Sequence, residues 1–459
     1  MHADQTQHDF LGRESVGRLL LRLALPTVTA QVINMLYNIV DRIYIGHIPE
    51  IGEDALTGVG LCMPLIMIVS AFAAFAGYGG APRASIFLGR GDEEAAQRTL
   101  GGCFVVQLIL SALLTCVLLA WNEELLMAFG GSPDTIGYAT DYMDVYALGT
   151  LFVQLTLGMN AFITAQGFAR TGMLSVLIGA LANIILDPIF IFGFGMGVRG
   201  AALATILSQA MSCAWVLLFL AGRRSRLRLR PAYMRLRPAV VLPCLALGLS
   251  TFTMQASESV ISVCFNVSLQ KYGGDIAVGA MTILTSVMQF ALLPLQGLGQ
   301  GAQPIISYNF GAGNPARVKR AFQLLLRVSL LYSTALWACV MLFPQLFAAM
   351  FTDSAALLAF TPRVLRIYLA CLLLFGIQMA CQMTFTALGN AKASILVAVM
   401  RKFVLLIPLI YLLPALLPGD KTTAVYLAEP VADFLAVSFT AALFSFQFRR
   451  ALRQMAPAV

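Results

Sequence analysis

Apolar residues run along this chain in twelve blocks separated by short polar breaks. The blocks fall at roughly 16–41, 55–80, 99–121, 136–163, 170–195, 198–221, 239–269, 276–300, 320–345, 355–385, 393–417 and 423–447. Each is long enough to cross a bilayer core as a helix, which takes about 20 residues. None carries the charged outer face that a helix of a water-soluble bundle needs. Gly and Pro recur inside the blocks, as membrane helices tolerate. The pattern predicts an all-α polytopic membrane protein of twelve transmembrane helices. Composition agrees: 59% of the residues are hydrophobic and 11% charged, with a mean hydropathy of +0.82. A soluble domain is about 25% charged.

Charge orients the chain. With the N-terminus inside, 20 Lys and Arg residues fall on inner loops and tails, against five outside (Arg199, Lys271, Arg363, Arg366 and Lys421). Both termini are therefore expected on the cytoplasmic side. Seven of the inner charges, Arg223, Arg224, Arg226, Arg228, Arg230, Arg235 and Arg237, crowd one connector. An orientation signal on anionic headgroups, at about 1 kcal/mol per charge, explains them better than nucleic-acid binding. The polar N-terminus shows no cleavable signal. The nine cysteines are scattered through apolar blocks, and His2, His8 and His47 lie outside them. No metal site, disulfide framework or histidine proton relay is expected.

The chain repeats itself at an offset of 222 residues. Leu23-Ala24-Leu25-Pro26 aligns with Leu245-Ala246-Leu247-Gly248. Gly77, Gly79, Pro82, Ser85, Gly89, Gly91 and Arg98 align with Gly299, Gly301, Pro304, Ser307, Gly311, Gly313 and Arg320. Thr164, Ala165, Gly167, Ala169 and Arg170 face Thr386, Ala387, Gly389, Ala391 and Lys392. The expected organisation is an N-terminal six-helix lobe (1–221), a basic cytoplasmic connector (222–238) and a C-terminal six-helix lobe (239–459). With an even number of spans, both halves enter from the same side. They are then two six-helix bundles related by a pseudo-two-fold axis along the membrane normal, a plan of alternating-access transporters.

Polar residues inside spans are costly and usually functional. On the first helix Thr27, Gln31, Asn34, Asn38 and Asp41 recur at steps of 4, 3, 4 and 3 and share one face. Tyr37 borders that face, and Pro26 removes a backbone hydrogen bond near its inner end. Asn183 and Asp187 lie four apart on the fifth helix, followed by Pro188; the sixth offers Thr205, Ser208 and Gln209. If these helices adjoin, the two carboxylates can share a pocket in which one takes up and releases a proton. Asn160 on the fourth helix and Gln255 and Glu258 on the seventh are candidate cavity residues. Glu429 and Asp433, four apart on the twelfth, read as satisfied structural polars. Asp141 and Asp144 stand 222 residues before Arg363 and Arg366. These opposite charges at equivalent outer positions form a candidate extracellular latch for the inward-facing state.

The LALPTV run followed by Asp41, the GLGQGAQP…NFGAGN stretch from Gly297 to Asn314, and NIILDP on the fifth helix together resemble the multidrug and toxic compound extrusion (MATE) family of prokaryotic type. The resemblance spans the whole chain. It implies a V-shaped pair of bundles and no enzyme activity: a secondary antiporter exporting cationic or amphipathic organic compounds against inward H⁺ or Na⁺. It implies a cation-coupling site at Asp41, Asn183, Asp187 and Thr205; the polar stripes themselves point to a substrate cavity among Gln31, Asn34, Tyr37, Asn38, Asn160, Gln255 and Glu258. Pro26 is the expected bending point. No cofactor beyond the coupling ion, no resident metal and no nucleic acid are expected; the partners are small organic cations or drugs and the lipid bilayer. The setting is a bacterial plasma (inner) membrane, with the protein monomeric. One branch of the family uses an acidic residue on helix ten, where this chain has Gln378 and Gln382. A lipid-linked precursor flippase of the same superfamily is the alternative, disfavoured because extra helices and a strongly cationic cavity are not evident.

Overall fold

Twelve spans can be traced in the computed structural model, which describes residues 10–455; His2 and His8 lie outside that range. The spans are α1 (Val16–Gly46), α2 (Gly52–Arg90), α3 (Glu93–Ala128), α4 (Ile136–Leu148 and Thr150–Ala165, bent by 58°), α5 (Ala169–Pro188, continuing as a π-helical turn over Ile189–Gly193) and α6 (Val198–Ala221). The second lobe begins at Pro238. Residues 238–311 hold two spans, α7 and α8, divided where Gly274 takes a φ of 66°, a conformation open to glycine and few other residues. There follow α9 (Pro315–Leu342), α10 (Ala355–Tyr368 and Phe375–Ala387), α11 (Ala391–Leu416, with a π-helical stretch over Met400–Leu406) and α12 (Lys421–Met455).

Buried side chains group in a way that gives the molecule its shape. One core is shared: Leu23, Leu100 and Phe162 of the first lobe pack in the same cluster as Ile305, Leu325 and Phe385 of the second. The other two large cores belong to one lobe each. Ile45, Leu126 and Tyr142 build the first; Phe265, Leu284 and Tyr426 build the second. The two bundles therefore join at the end where α1 and α7 begin and part at the other. The result is a V.

The repeated glycines make the joint. A Cβ on Gly89 would lie 2.0 Å from the carbonyl oxygen of Tyr308, and one on its repeat mate Gly311 would lie 2.0 Å from that of Ile86. So α2 and α8, the same helix in the two halves, cross backbone to backbone on the pseudo-two-fold axis. Gly79 meets Cys244 on α7, and its mate Gly301 meets Ala24 on α1, with gaps of 1.9 and 2.4 Å to a notional Cβ. Gly91 and Gly313, with φ of 78° and 68°, end α2 and α8 in the left-handed conformation. Asp92 and Asn314 then cap the following helices by accepting from Ala95 N and Arg317 N, as N-caps do.

Each lobe also grips the lead-in of the other. Asn309 Nδ2 donates to Leu11 O (3.0 Å), and Arg317 Nη2 to Leu11 O (2.9 Å) and Glu14 O (2.7 Å). In return Gln166 Oε1 accepts from Arg226 N and Leu227 N (both 2.9 Å), and Gln97 donates to Arg226 O and accepts from Arg228 N (both 3.0 Å). The basic connector is thus a folded piece seated on the first lobe.

Gly89→Val and Gly311→Val should each lower stability, because overpacking a closed contact costs about 1–3 kcal/mol. Gly60→Val, on an open face of α2 where a Cβ meets nothing, should match wild type. Thermal unfolding of the purified variants in one detergent checks this; equal midpoints for all three would show that the crossing tolerates a side chain.

Candidate functional site

α1 lies along α5 and against α8, so its polar face is turned inward. Thr27, Gln31, Asn34 and Tyr37 line a narrow cavity of about 110 Å³, together with Asn160 from α4, Asn183 from α5, Thr205 and Gln209 from α6, and Gln300 from α8. No charged side chain among the described residues lines it. Thr27 Oγ1 donates to Gly297 O (2.5 Å) and Gln31 Nε2 to Gln300 Oε1 (3.2 Å), tying α1 to the opposite lobe. Asn38 is outside this cavity: it is exposed, and its amide folds back to donate to Asn34 O at 2.8 Å.

Beyond Tyr37, Asp41 comes within hydrogen-bonding reach of Asp187. Asp187 is fully buried and Asn183 nearly so. Asn183 Nδ2 stands 3.5 Å from Asp187 Oδ1 and 3.4 Å from Thr205 Oγ1, so the four residues form one group. Asp41 Oδ1, Asp187 Oδ2, Asn183 Oδ1, Asn160 Oδ1 and Gln209 Oε1 are all buried with no hydrogen-bond donor among the described residues. Buried polar atoms are ordinarily satisfied, and these are all acceptors. Two carboxylates this close repel unless positive charge comes between them. Hard cations take oxygen ligands of this kind, and a proton serves the same electrostatic end.

Gln255 and Glu258 do not join that cavity. They line a second one, of about 290 Å³, with Met254, Gln289, Gln296 and Met379. The reason is the repeat: α7 is the counterpart of α1, and its polar stripe faces the cavity of its own lobe. Two functional candidates here escaped the sequence reading. Arg401 and Lys402, on the π-helical stretch of α11, are buried. Lys402 Nζ lies 2.5 Å from Glu258 Oε1. Arg401 Nε donates to Asp433 Oδ1 (2.9 Å) and Nη2 to Glu429 Oε1 (3.1 Å), with its guanidinium 4.8 Å from the centre of the Phe375 ring. Glu429 and Asp433, one helical turn apart on α12, clamp one guanidinium between them. The second cavity therefore does hold basic side chains, each paired with an acid: Lys402 with Glu258, and Arg401 with Glu429 and with Asp433, which does not line the cavity. An adjacent basic pair in mid-block was a readable signal. On α10, Gln378 and Gln382 are buried, and Gln382 Nε2 donates to Ser394 O and Oγ (3.1 and 3.0 Å).

The rim charges partner within their own lobes in this conformation. Arg199 Nη2 donates to Asp141 (2.8 Å), Asn122 to Asp144 (2.7 Å), Arg363 to Thr423 (3.2 Å) and Arg366 to Met341 O (2.9 Å).

Known proteins share this fold. The MatE family model matches residues 26–189 and 251–412, once in each lobe. Over 430 residues, 93% of this chain and 94% of the relative, the sequence is 24% identical to the multidrug export protein MepA of Staphylococcus haemolyticus (strain JCSC1435). The fold is similar to a solved MATE structure in the bent conformation (TM-score 0.90, 22% identity, 97% of this chain and 98% of that one). It is equally similar to an outward-facing multidrug resistance MATE family transporter of the MOP superfamily, with the same score, identity and coverage.

Arg401→Met should be severely destabilising, since removing one member of a buried ion pair costs about 3–5 kcal/mol. Adding Glu429→Gln and Asp433→Asn should recover most of the loss by removing the stranded charge. Thermal midpoints and the monodisperse fraction after purification check both statements; a triple variant no better than the single would assign the loss to packing on Phe375.

Proposed function

This chain belongs to the MATE family of transporters, and on that premise we propose that it is a secondary multidrug efflux antiporter of a bacterial plasma membrane. It exports cationic or amphipathic organic compounds in exchange for inward H⁺ or Na⁺. The supporting observation is the Asp41–Asp187 pair, whose unpartnered oxygens adjoin a polar cavity lined by no basic residue. Asp41, Asn183, Asp187 and Thr205 bind the coupling ion, while Gln31, Asn34, Tyr37 and Asn160 meet the substrate. A cationic substrate and the inward ion compete for the same negative charge, so that one leaves as the other arrives.

With both termini cytoplasmic, the parted end of the V faces outward, and the lobes rock as units of 1–221 and 239–459 joined by 222–238. The protein acts as a monomer and engages no nucleic acid. Pro26 lies buried within the continuous helix α1, where its missing N–H leaves a bendable point. Ion occupancy at Asp41 reshapes the substrate cavity through that point. Neutralisation of Arg401 and Lys402 by three carboxylates favours this reading over a flippase for anionic lipid-linked precursors.

Asp41→Asn and Asp187→Asn should each abolish gradient-driven efflux of ethidium while leaving insertion intact. Proteoliposomes given a pH gradient or a Na⁺ gradient, one at a time, identify the coupling ion, and both variants should lose the response to it. Wild-type efflux in Asp41→Asn would sink the coupling assignment. Pro26→Ala should slow turnover while leaving ethidium affinity unchanged; unaltered transport kinetics would reduce the proline to a packing residue.

A further inference from the structure

The cavity of the second lobe differs in kind from that of the first. At about 290 Å³ it is large enough for an aromatic ring with a short polar chain, and Met254, Met288 and Met379 give it adaptable apolar walls. Two opposite charges meet on its surface. The side chain of Glu258 is 46% exposed, whereas that of Lys402 is only 6% exposed. The neighbouring Arg401 is held by Glu429 and Asp433, all three nearly inaccessible. Whatever binds at the charged end of this cavity must therefore exchange with the Lys402–Glu258 pair.

That exchange selects by charge. A monocation drawn to Glu258 displaces Lys402 and leaves a buried ammonium without a partner, which is costly. A monoanion drawn to Lys402 releases Glu258 but sits beside it and Glu429, adding like charge to a region that already has three carboxylates and two cations. A molecule with both charges replaces one internal pair by two external ones and strands nothing. We propose that the second-lobe cavity is a binding site for amphipathic zwitterions, which set an ammonium on Glu258 and a carboxylate on Lys402 against a methionine-lined apolar wall. The first cavity has acidic groups at its end and no basic residue, so the two lobes choose different substrate charges. The site depends on the antiporter reading only for the direction in which its ligand moves.

Three radiolabelled compounds on one skeleton test this with the full chain in lipid nanodiscs: homophenylalanine (zwitterion), 3-phenylpropylamine (cation) and 4-phenylbutyrate (anion). Asp41→Asn serves as the background, to silence cation binding in the first lobe. Homophenylalanine should bind about tenfold or more tightly than either companion, the margin expected when one charge of a buried pair is left unmatched. Lys402→Gln should erase that margin and make 3-phenylpropylamine the best ligand. The double variant Glu258→Lys with Lys402→Glu keeps both charges in reversed order, and should retain the margin for homophenylalanine. Equal binding of the three compounds to the parent overturns the proposal. So does a margin that survives Lys402→Gln, or one lost in a monodisperse charge-swapped variant. The Lys402→Gln and charge-swap comparisons share one background and alter only the second lobe, so their outcome is readable whether or not the ethidium flux upholds Asp41.

Discussion

Everything in this molecule depends on two lobes touching backbone to backbone inside a bilayer. Lipid tails are as apolar as leucine, so no hydrophobic force draws one bundle to the other; close packing of small residues must do it. The repeat supplies those residues in register. Gly79 and Gly89 on α2, and Gly301 and Gly311 on α8, leave room for backbone atoms of the opposite lobe at distances no side chain permits. Because each contact has a mate 222 residues away, one sequence solution serves both sides of the axis.

The same symmetry places two cavities, one per lobe, and they have diverged. In the first, α1, α5 and α6 bring together carboxylate and amide oxygens that face no donor among the described residues. In the second, α11 carries Arg401 and Lys402 where the counterparts on α5 are Gly179 and Ala180. The basic side chains there meet acids from α7 and α12, and the region approaches neutrality without any bound ion. One half of a duplicated scaffold thus retains a demand for positive charge that the other half meets internally.

Much of this was legible in the sequence. The apolar blocks marked the spans, and the repeat marked the paired glycines, whose close contacts only the fold reveals. The four-residue spacing of Asn183 and Asp187 brought them to Asp41 because α1 and α5 adjoin. What stayed hidden has physical causes. The seating of residues 222–237 is made in large part by backbone N–H and C=O groups on Gln166 and Gln97, and backbone groups leave no pattern in a sequence. Asn38 shares the spacing of its stripe, yet its amide turns to a carbonyl of its own helix. Gln255 and Glu258 were grouped with Gln31 in one substrate cavity because both stripes are polar; the repeat, taken to its end, assigns each stripe to a separate cavity. In this conformation the rim acids and arginines bond within their own lobes, to Arg199, Asn122 and Thr423; the candidate latch belongs to the inward-facing one. The basic pair on α11 was visible all along, as two cations in the middle of an apolar block.

The manner in which the lobes touch bears on how they come apart. Close contact between carbonyls and glycines holds through dispersion, which falls off within an ångström of separation. The polar ties across the shared core near the first cavity are few, Thr27 to Gly297 and Gln31 to Gln300. Partial separation forfeits the attraction before any new contact forms, so intermediate angles between the bundles have nothing to stabilise them. Such a joint favours two discrete positions over a graded swing, as packed interfaces generally do. A ligand needs only to tip the choice between them.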